Sequence, residues 1–206
     1  RVVDCSKVGN LILNLRKEKN MTQKDVADAL GISDKTISKW ERGLGCPDVS
    51  LLGELSTFLG VNIEKILQGD LNPNDVDKGN IQNIQFYVCP NCSNVMNSFT
   101  KAEMSCCGRK LVALQANYED KEHEMDVQSI ENDYYITVKH EMSKNHFISF
   151  MAYVTYDRLL FIKLYPEQNA ELRIPKMSAG SLYVYCNQLG LWMKDVRIQL
   201  RLAKSS

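Results

Sequence analysis

The chain has 206 residues, in which 25 lysines and arginines balance 25 aspartates and glutamates. This length allows one large domain or two small ones with a real core. The zero net charge excludes a protein that attracts nucleic acid through a strong overall basic field. The charge is uneven, however, because residues 1–42 carry nine basic and six acidic side chains. The local positive excess is compatible with a nucleic-acid-binding region near the N-terminus.

The sequence predicts neither a membrane span nor a secretion signal. Its longest apolar run, FISFMAYV, is too short to cross a bilayer. The N-terminal RVVDCSKVGN lacks the long apolar core of a signal peptide. We therefore expect a cytoplasmic protein without a membrane partner. The first residue is not methionine, so the natural start is expected to be altered or missing.

Residues 1–68 are predicted to form a run of five short helices. Apolar residues recur there at helical spacing, and a residue type that caps helix N-termini precedes each of the four later segments. These capping residues are Thr22, Ser33, Asp48 and Asn62. Gly31 and Gly43 follow the second and third segments, at the position where glycine commonly ends a helix.

The rest of the chain has a different composition. Residues 69–85 are rich in Asn, Asp and Gly and contain a Pro, which is typical of a linker. Farther on, short aromatic and β-branched runs separated by turn residues predict an immunoglobulin-like β-sandwich. We therefore predict a multidomain chain, α then β. Its parts are a helical domain (1–68), the linker (69–85), a small four-cysteine module (86–115) and the sandwich (116–206).

The segment TQKDVADALGISDKTISKWERG predicts two helices joined by a tight turn at Gly31. Their apolar faces would pack together and turn the outer face of the second helix toward a DNA major groove. The segment resembles the helix-turn-helix of the Cro/CI (XRE) family in its five-helix form, over about residues 7–68. The opening Thr-Gln, Ala27, Gly31 and the Ser-Lys-Trp-Glu-x-Gly ending all match that family.

This resemblance implies a sequence-specific transcription regulator that binds double-stranded DNA. It implies phosphate contacts from Gln23 and Ser33, and base contacts from the second helix of the helix-turn-helix, which begins after Ser33. It also implies a structural pair of Arg16 with Glu41. The candidate DNA-binding residues are Arg16, Gln23, Ser33, Asp34, Lys35, Thr36, Ser38, Lys39 and Arg42. Because the chain is nearly neutral, specificity is expected to need a homodimer on two half-sites. An ordinary helical bundle is the alternative.

Four of the seven cysteines form a cluster in the sequence, CPNCSNVMNSFTKAEMSCCG. Cys89 and Cys92 form one pair and Cys106 and Cys107 the other, and four thiolates can surround zinc or iron as a tetrahedron. Unliganded buried thiols are the alternative. The adjacent second pair and CCGRKL resemble the desulforedoxin-like module of desulfoferrodoxins, which holds one iron in four sulfurs. The outlying Cys5 and Cys46 are expected to have no role.

The three histidines fall within 24 positions, and with one thiolate they form a plausible iron set. The four residues are His123, His140, His146 and Cys186. HEMSKNHFISF and CNQLGLW resemble the ligand segments of superoxide reductases, and residues 86–195 are similar to a complete desulfoferrodoxin. The resemblance implies a ferrous iron held by four equatorial imidazoles and one axial cysteinate. In that family, superoxide is reduced to hydrogen peroxide by the iron at its open position.

Leu189 occupies the place of the fourth imidazole in that family. Its isobutyl group offers no electron pair, so three outcomes are open: iron completed by water, a zinc site, or an empty scaffold. The first functional hypothesis is a DNA-binding regulator whose C-terminal half senses iron or redox state or mediates assembly. The second is a superoxide reductase that carries a DNA-binding domain, against which Leu189 is the main argument. In the third, both metal sites are structural.

Overall fold

A computed structural model of the chain describes residues 2–72, 79–121 and 123–196. The chain divides into two compact units, Arg1–Pro73 and Asn74–Ser206. Residues 73–78 of the predicted linker and the C-terminal residues 197–206 lie outside the described residues. Within the described parts, no helix is both long enough and apolar enough to cross a membrane. The predicted boundaries between the linker, the four-cysteine module and the sandwich stay predictions.

The first unit is helical, as predicted. The described residues form α1 (Cys5–Glu18), α2 (Gln23–Ala29), α3 (Asp34–Glu41), α4 (Leu52–Leu59) and α5 (Ile63–Gln68). Thr22 caps α2 in a capping box: its hydroxyl accepts from the N–H of Asp25 at 3.1 Å, and its own N–H donates to that carboxylate at 2.7 Å. Ser33 lies immediately before α3, and Asn62 lies immediately before α5. Asp48 precedes a short 3₁₀ turn (Val49–Leu51), which leads directly into α4.

One apolar core joins the helices of this unit. It contains residues of α1 through α5, with Ile12, Ile37, Leu55 and Ile66 fully shielded from solvent. Helix α1 lies very close to α3, because a Cβ atom added to Gly9 would be 2.0 Å from the carbonyl oxygen of Trp40. Burial of these apolar side chains stabilises the helices, which are too short to persist alone in water.

The expectation that Cys5 and Cys46 have no role is corrected by the structure. The two residues are joined by a disulfide between the first residue of α1 and the segment that follows α3, across 41 positions of sequence. The sequence shows only that Cys5 and Cys46 flank the predicted helices, and it gives no sign that they lie close together. Their proximity depends on how α1 packs against α3.

The second unit is built from strands. They are β1 (Gln85–Val88), β2 (Val95–Ser98), β3 (Met104–Cys106), β4 (Arg109–Leu111), β5 (Ala116–Tyr118), β6 (Met125–Ile130), β7 (Asp133–Val138), β8 (Ile148–Val154), β9 (Leu159–Lys163), β10 (Glu171–Pro175), β11 (Ser181–Cys186) and β12 (Gly190–Asp195). A three-stranded sheet, β10-β7-β6, and a five-stranded sheet, β5-β12-β11-β8-β9, form the sandwich. The pairs β1-β2 and β3-β4 are separate hairpins that carry the four clustered cysteines.

The five-stranded sheet has an apolar cluster on each face. Met151 and Tyr153 of β8 belong to the cluster shared with the three-stranded sheet. Phe150 and Ala152, which alternate with them, belong to a second cluster that includes Phe86 of β1. Every residue of β8 is therefore buried. This explains why β8 reads as a continuous apolar run instead of an alternating one.

Candidate nucleic-acid interface and metal centres

Helix α3 presents a polar outer face. Ser33 begins the helix, and its hydroxyl oxygen accepts from the N–H of Thr36 at 3.2 Å. Ile37 and Trp40 are buried in the core, which fixes the orientation of the helix. Asp34, Lys35 and Lys39 are exposed, whereas Thr36 and Ser38 are half-buried. The outer face thus offers two ammonium groups and short polar side chains, the groups that commonly contact phosphates and base edges.

Arg16 and Gln23 are engaged with Glu41 at the end of α3. The Arg16 guanidinium donates from Nε to Oε1 at 2.5 Å and from Nη2 to Oε2 at 2.9 Å, and Gln23 donates from Nε2 to Oε2 at 2.7 Å. Burial raises the pKa of Glu41, but the hydrogen bonds from Arg16 and Gln23 outweigh burial and hold that pKa below its ordinary value. The structural pair of Arg16 and Glu41 is present, and Arg16 is not on the outer face of α3.

The remaining candidate on this face is Arg42, which caps the C-terminus of α3. Its backbone N–H and its Nε both donate to the carbonyl oxygen of Ser38, the latter at 3.1 Å. Its side chain is exposed beside Lys39. Positive charge at this end of a helix also interacts favourably with the helix dipole.

The four clustered cysteines meet at the ends of two hairpins. Cys107 and Gly108 occupy the two-residue turn between β3 and β4, with φ of +52° and +72°. Both central residues of such a turn need positive φ, and glycine adopts it at little cost. This turn places the adjacent thiols of Cys106 and Cys107 on the same side as Cys89 and Cys92.

The distances among these four sulfurs match a metal tetrahedron. All four Sγ atoms lie within 4.8 Å of one another, with Cys92 and Cys106 at 3.5 Å and Cys106 and Cys107 at 4.0 Å. A metal–sulfur bond of about 2.3 Å in tetrahedral geometry implies sulfur–sulfur distances of about 3.8 Å. The donor set therefore fits zinc or iron.

The thiols in this cluster have very unequal acidity. Backbone N–H groups of Cys92 and Asn91 donate to the Cys89 sulfur and lower its pKa to about 6. The neighbouring thiols, Cys92 foremost, raise the pKa of Cys107 to about 12. Four thiolates this close repel one another unless a cation lies between them.

A second cluster lies at one end of the sandwich. The ligand atoms of His140, His146 and Cys186 all lie within 4.8 Å of one another. Both ring nitrogens of His140 and Nε2 of His146 are buried without a hydrogen-bond partner. Burial lowers the pKa of His140, which favours the neutral imidazole that binds metals. Buried polar atoms without a hydrogen-bond partner are rare, and these nitrogens are therefore suited to bind a metal ion.

A bulge in the five-stranded sheet sets the position of Cys186. The register shifts so that Tyr185 pairs with Phe150 whereas Cys186 pairs with Ile148, which leaves Ser149 as the extra residue. The N–H groups of Gln188 and Leu189 both approach the Cys186 sulfur at 3.4 Å. The turn that follows β11 therefore holds this sulfur in a fixed position.

His123 has other partners. Its Nδ1 is 2.8 Å from Oδ1 of Asp120, and its ring stacks on Trp192 at a centroid distance of 3.8 Å. Among the described residues, the compact donor set contains His140, His146 and Cys186 but not His123. The contact with Asp120 was not predicted from the sequence. The Asp-x-x-His spacing, which places the two residues three positions apart, was a signal that could have indicated it. The side chain of Leu189 is 47% exposed, so it fills no core position.

Comparison with known proteins accounts for both halves of the chain. Residues 12–66 match the Helix-turn-helix family. The HTH-type transcriptional activator BcrR of Enterococcus faecalis is 43% identical over 56 residues, which are 27% of this chain and 28% of that protein. A desulfoferrodoxin of Clostridium acetobutylicum is 30% identical over 100 residues, which are 46% of this chain and 80% of that protein.

The fold of the second unit is also known. The superoxide reductase from Treponema pallidum superposes with a TM-score of 0.50 at 17% identity, over 55% of this chain and 99% of that one. Fold and sites together define a helix-turn-helix domain followed by a β protein with two clusters of metal-binding side chains. The chain belongs to the desulfoferrodoxin family and carries a Helix-turn-helix domain at its N-terminal end.

Proposed function

We propose that this protein is a sequence-specific DNA-binding transcription regulator with a metal-binding C-terminal half. The observation that carries the proposal is the polar outer face of α3, held outward by the buried Ile37 and Trp40 within a matching Helix-turn-helix domain. The relatives named as HTH-type transcriptional regulators support the same function. A single α3 can read one half-site, so we propose that the protein binds as a homodimer to two half-sites.

Replacing Lys39 by alanine is expected to weaken binding to a duplex selected from a random-sequence library by about tenfold, because one cationic contact to DNA is lost. Fluorescence anisotropy at fixed salt measures the change. Lys19→Ala is the matched control, because this substitution removes the same charge from a different place. The Lys19 ammonium lies near Gly60 at the end of α4. Equal losses in both variants would mean that α3 does not read the DNA.

We propose that Cys89, Cys92, Cys106 and Cys107 bind one metal ion, and the sulfur geometry supports this assignment. Zinc there would hold the hairpins together, and iron would add one-electron redox chemistry. Metal analysis with a visible spectrum, on protein purified without oxygen, distinguishes them. Sulfur-to-iron charge-transfer bands identify iron, and a colourless protein with one zinc identifies a structural site.

The second cluster does not match the metal site of the reductases. That site needs four imidazoles and one thiolate, whereas this chain has three histidines in all, and His123 stacks on Trp192 outside the compact set. Two imidazoles and one thiolate instead suit a tetrahedral ion with one open position. We therefore derive no reduction of superoxide from this site. We propose that the C-terminal half senses iron or redox state or supports assembly.

Replacing Leu189 by histidine is expected to raise the iron bound per chain after anaerobic loading, because an imidazole returns to the place that the reductases use. Leu189 is about half exposed, so the change leaves the core intact. Iron analysis and the thiolate-to-iron absorption band measure the gain. Leu189→Ala opens the same space without a donor and should not increase iron. No difference between the variants would show that the correspondence with the reductase ligands is wrong.

A further inference from the structure

We propose that Cys5 and Cys46 form a redox-reversible pair that controls the stability of the DNA-binding unit. Their disulfide links the start of α1 to the segment after α3, the helix whose outer face carries the candidate DNA contacts. The inference does not depend on which metal the second unit binds, because none of the five cysteines of that unit takes part.

The packing around the pair keeps the two residues adjacent in either redox state. Gly43 lies between α3 and Cys46 with φ of +70°, and a Cβ atom added there would be 2.6 Å from the Ser6 hydroxyl and 2.9 Å from its Cα. One turn farther along α1, Gly9 packs against the carbonyl of Trp40 just as closely. The two segments thus touch at two successive points next to the pair, and backbone atoms take part in both contacts. Reduction would leave two neighbouring thiols poised to close again.

The pair is accessible to small redox agents. Cys5 and Cys46 are both only partly buried, and Cys5 is the first residue of its helix. Thiol–disulfide exchange needs a thiolate that can reach the sulfur it attacks. Disulfides in reducing compartments are rare, and those that occur are usually transient or redox-sensing.

The chemistry of the step is balanced with two classes of oxidant. With hydrogen peroxide, the two thiols lose two electrons and two protons, the O–O bond breaks, and two water molecules leave as the S–S bond forms. With a low-molecular-weight disulfide, one cysteine thiolate displaces a small thiol. The second cysteine then displaces the other half, so two small thiols are released.

Closure of the bond should slow local opening of the helices inside the loop. The 41-position separation encloses most of α1, all of α2 and all of α3. A cross-link of this span restricts the unfolded chain much more than the folded one. The slowest amides of α1 and α3 should therefore exchange with solvent about a hundredfold more slowly in the oxidised protein.

The test uses the full chain, isolated without oxygen and then treated with either a thiol-free phosphine reductant or an oxidised low-molecular-weight disulfide. Alkylation and peptide mapping report the state of each cysteine, and hydrogen exchange by mass spectrometry reports the opening of α1 and α3. We expect a Cys5–Cys46 linked peptide only after oxidation, together with the hundredfold slower exchange. The reduced protein should reoxidise to the same linked peptide.

The matched control is Cys46→Ser, which leaves every cysteine of the second unit in place. Its α1 and α3 amides should exchange at the reduced rate after either treatment. Oxidant effects that persist in this variant then arise from the unpaired Cys5 thiol or from the cysteines of the second unit. The proposal is overturned if Cys5 and Cys46 stay fully alkylatable after oxidation, or if the linked and reduced proteins exchange at the same rate.

Discussion

Replacing Cys106 by serine is expected to remove one metal ion per chain and to unfold the region from β2 to β4. A serine hydroxyl is a poor ligand for a site built from thiolates, and the remaining three sulfurs leave the tetrahedron incomplete. No described residue of β2, β3 or β4 is fully buried, so these strands have little core of their own. Metal binding of about 10 kcal/mol or more would supply their folding energy.

Metal analysis measures the lost equivalent, and limited proteolysis between residues 89 and 111 measures the unfolding. Ser105→Ala is the matched control, because Ser105 is the neighbouring residue on β3 and carries no sulfur. That variant should keep both its metal and its protease resistance. A Cys106→Ser protein that retains full metal content would show that the cluster is not the ligand set.

Replacing Glu41 by alanine is expected to lower the free energy of unfolding of the helical unit by about 3–5 kcal/mol. The Arg16 side chain is only 12% exposed, so its guanidinium would remain buried without the carboxylate that pairs with it. Gln23 would lose the same acceptor. Urea unfolding followed by far-ultraviolet circular dichroism measures the loss. Glu18→Ala, at the exposed end of α1, should change stability by less than about 0.5 kcal/mol.

The origin of this loss can be separated from the removal of packing atoms. Replacing Arg16 and Glu41 together by methionine removes both charges and should recover much of the stability. The single variant Glu41→Met keeps the packing atoms but leaves the Arg16 charge unpaired, so it would be as stable as the double variant if packing alone were responsible.

Acid should weaken the same pair in a defined direction. The folded pKa of Glu41 lies below its unfolded value, so its contribution is fully present above the unfolded pKa. That contribution is lost as the pH falls through the folded pKa.

The helical unit was predictable because its signals are local. Capping residues such as Thr22 and Ser33, and glycines at helix ends, act within a few positions of chain. The four clustered cysteines were predictable for a related reason, since metal geometry limits their spacing. The sandwich was predictable from composition and turn spacing as a class of fold, although not in its strand order.

The features that the sequence did not reveal depend on contacts between distant segments. Cys5 and Cys46 meet only because α1 crosses closely over the end of α3 at Gly9 and Gly43. The partners of His123 depend on the position of Trp192, which a strand nearly 70 positions later supplies. Likewise, the bulge at Ser149 arises from the pairing of β8 with β11.

The two apolar faces of the five-stranded sheet have a consequence for dividing this protein into fragments. One face is covered by the other sheet, and the opposite face packs against Phe86 and its neighbours on β1. A fragment that began at residue 116 would leave Phe150, Ala152 and Leu191 facing water. Self-association through this uncovered strip would follow. The β1-β2 hairpin and the sandwich therefore share one apolar cluster, and a fragment is expected to stay dispersed in solution only if it contains both.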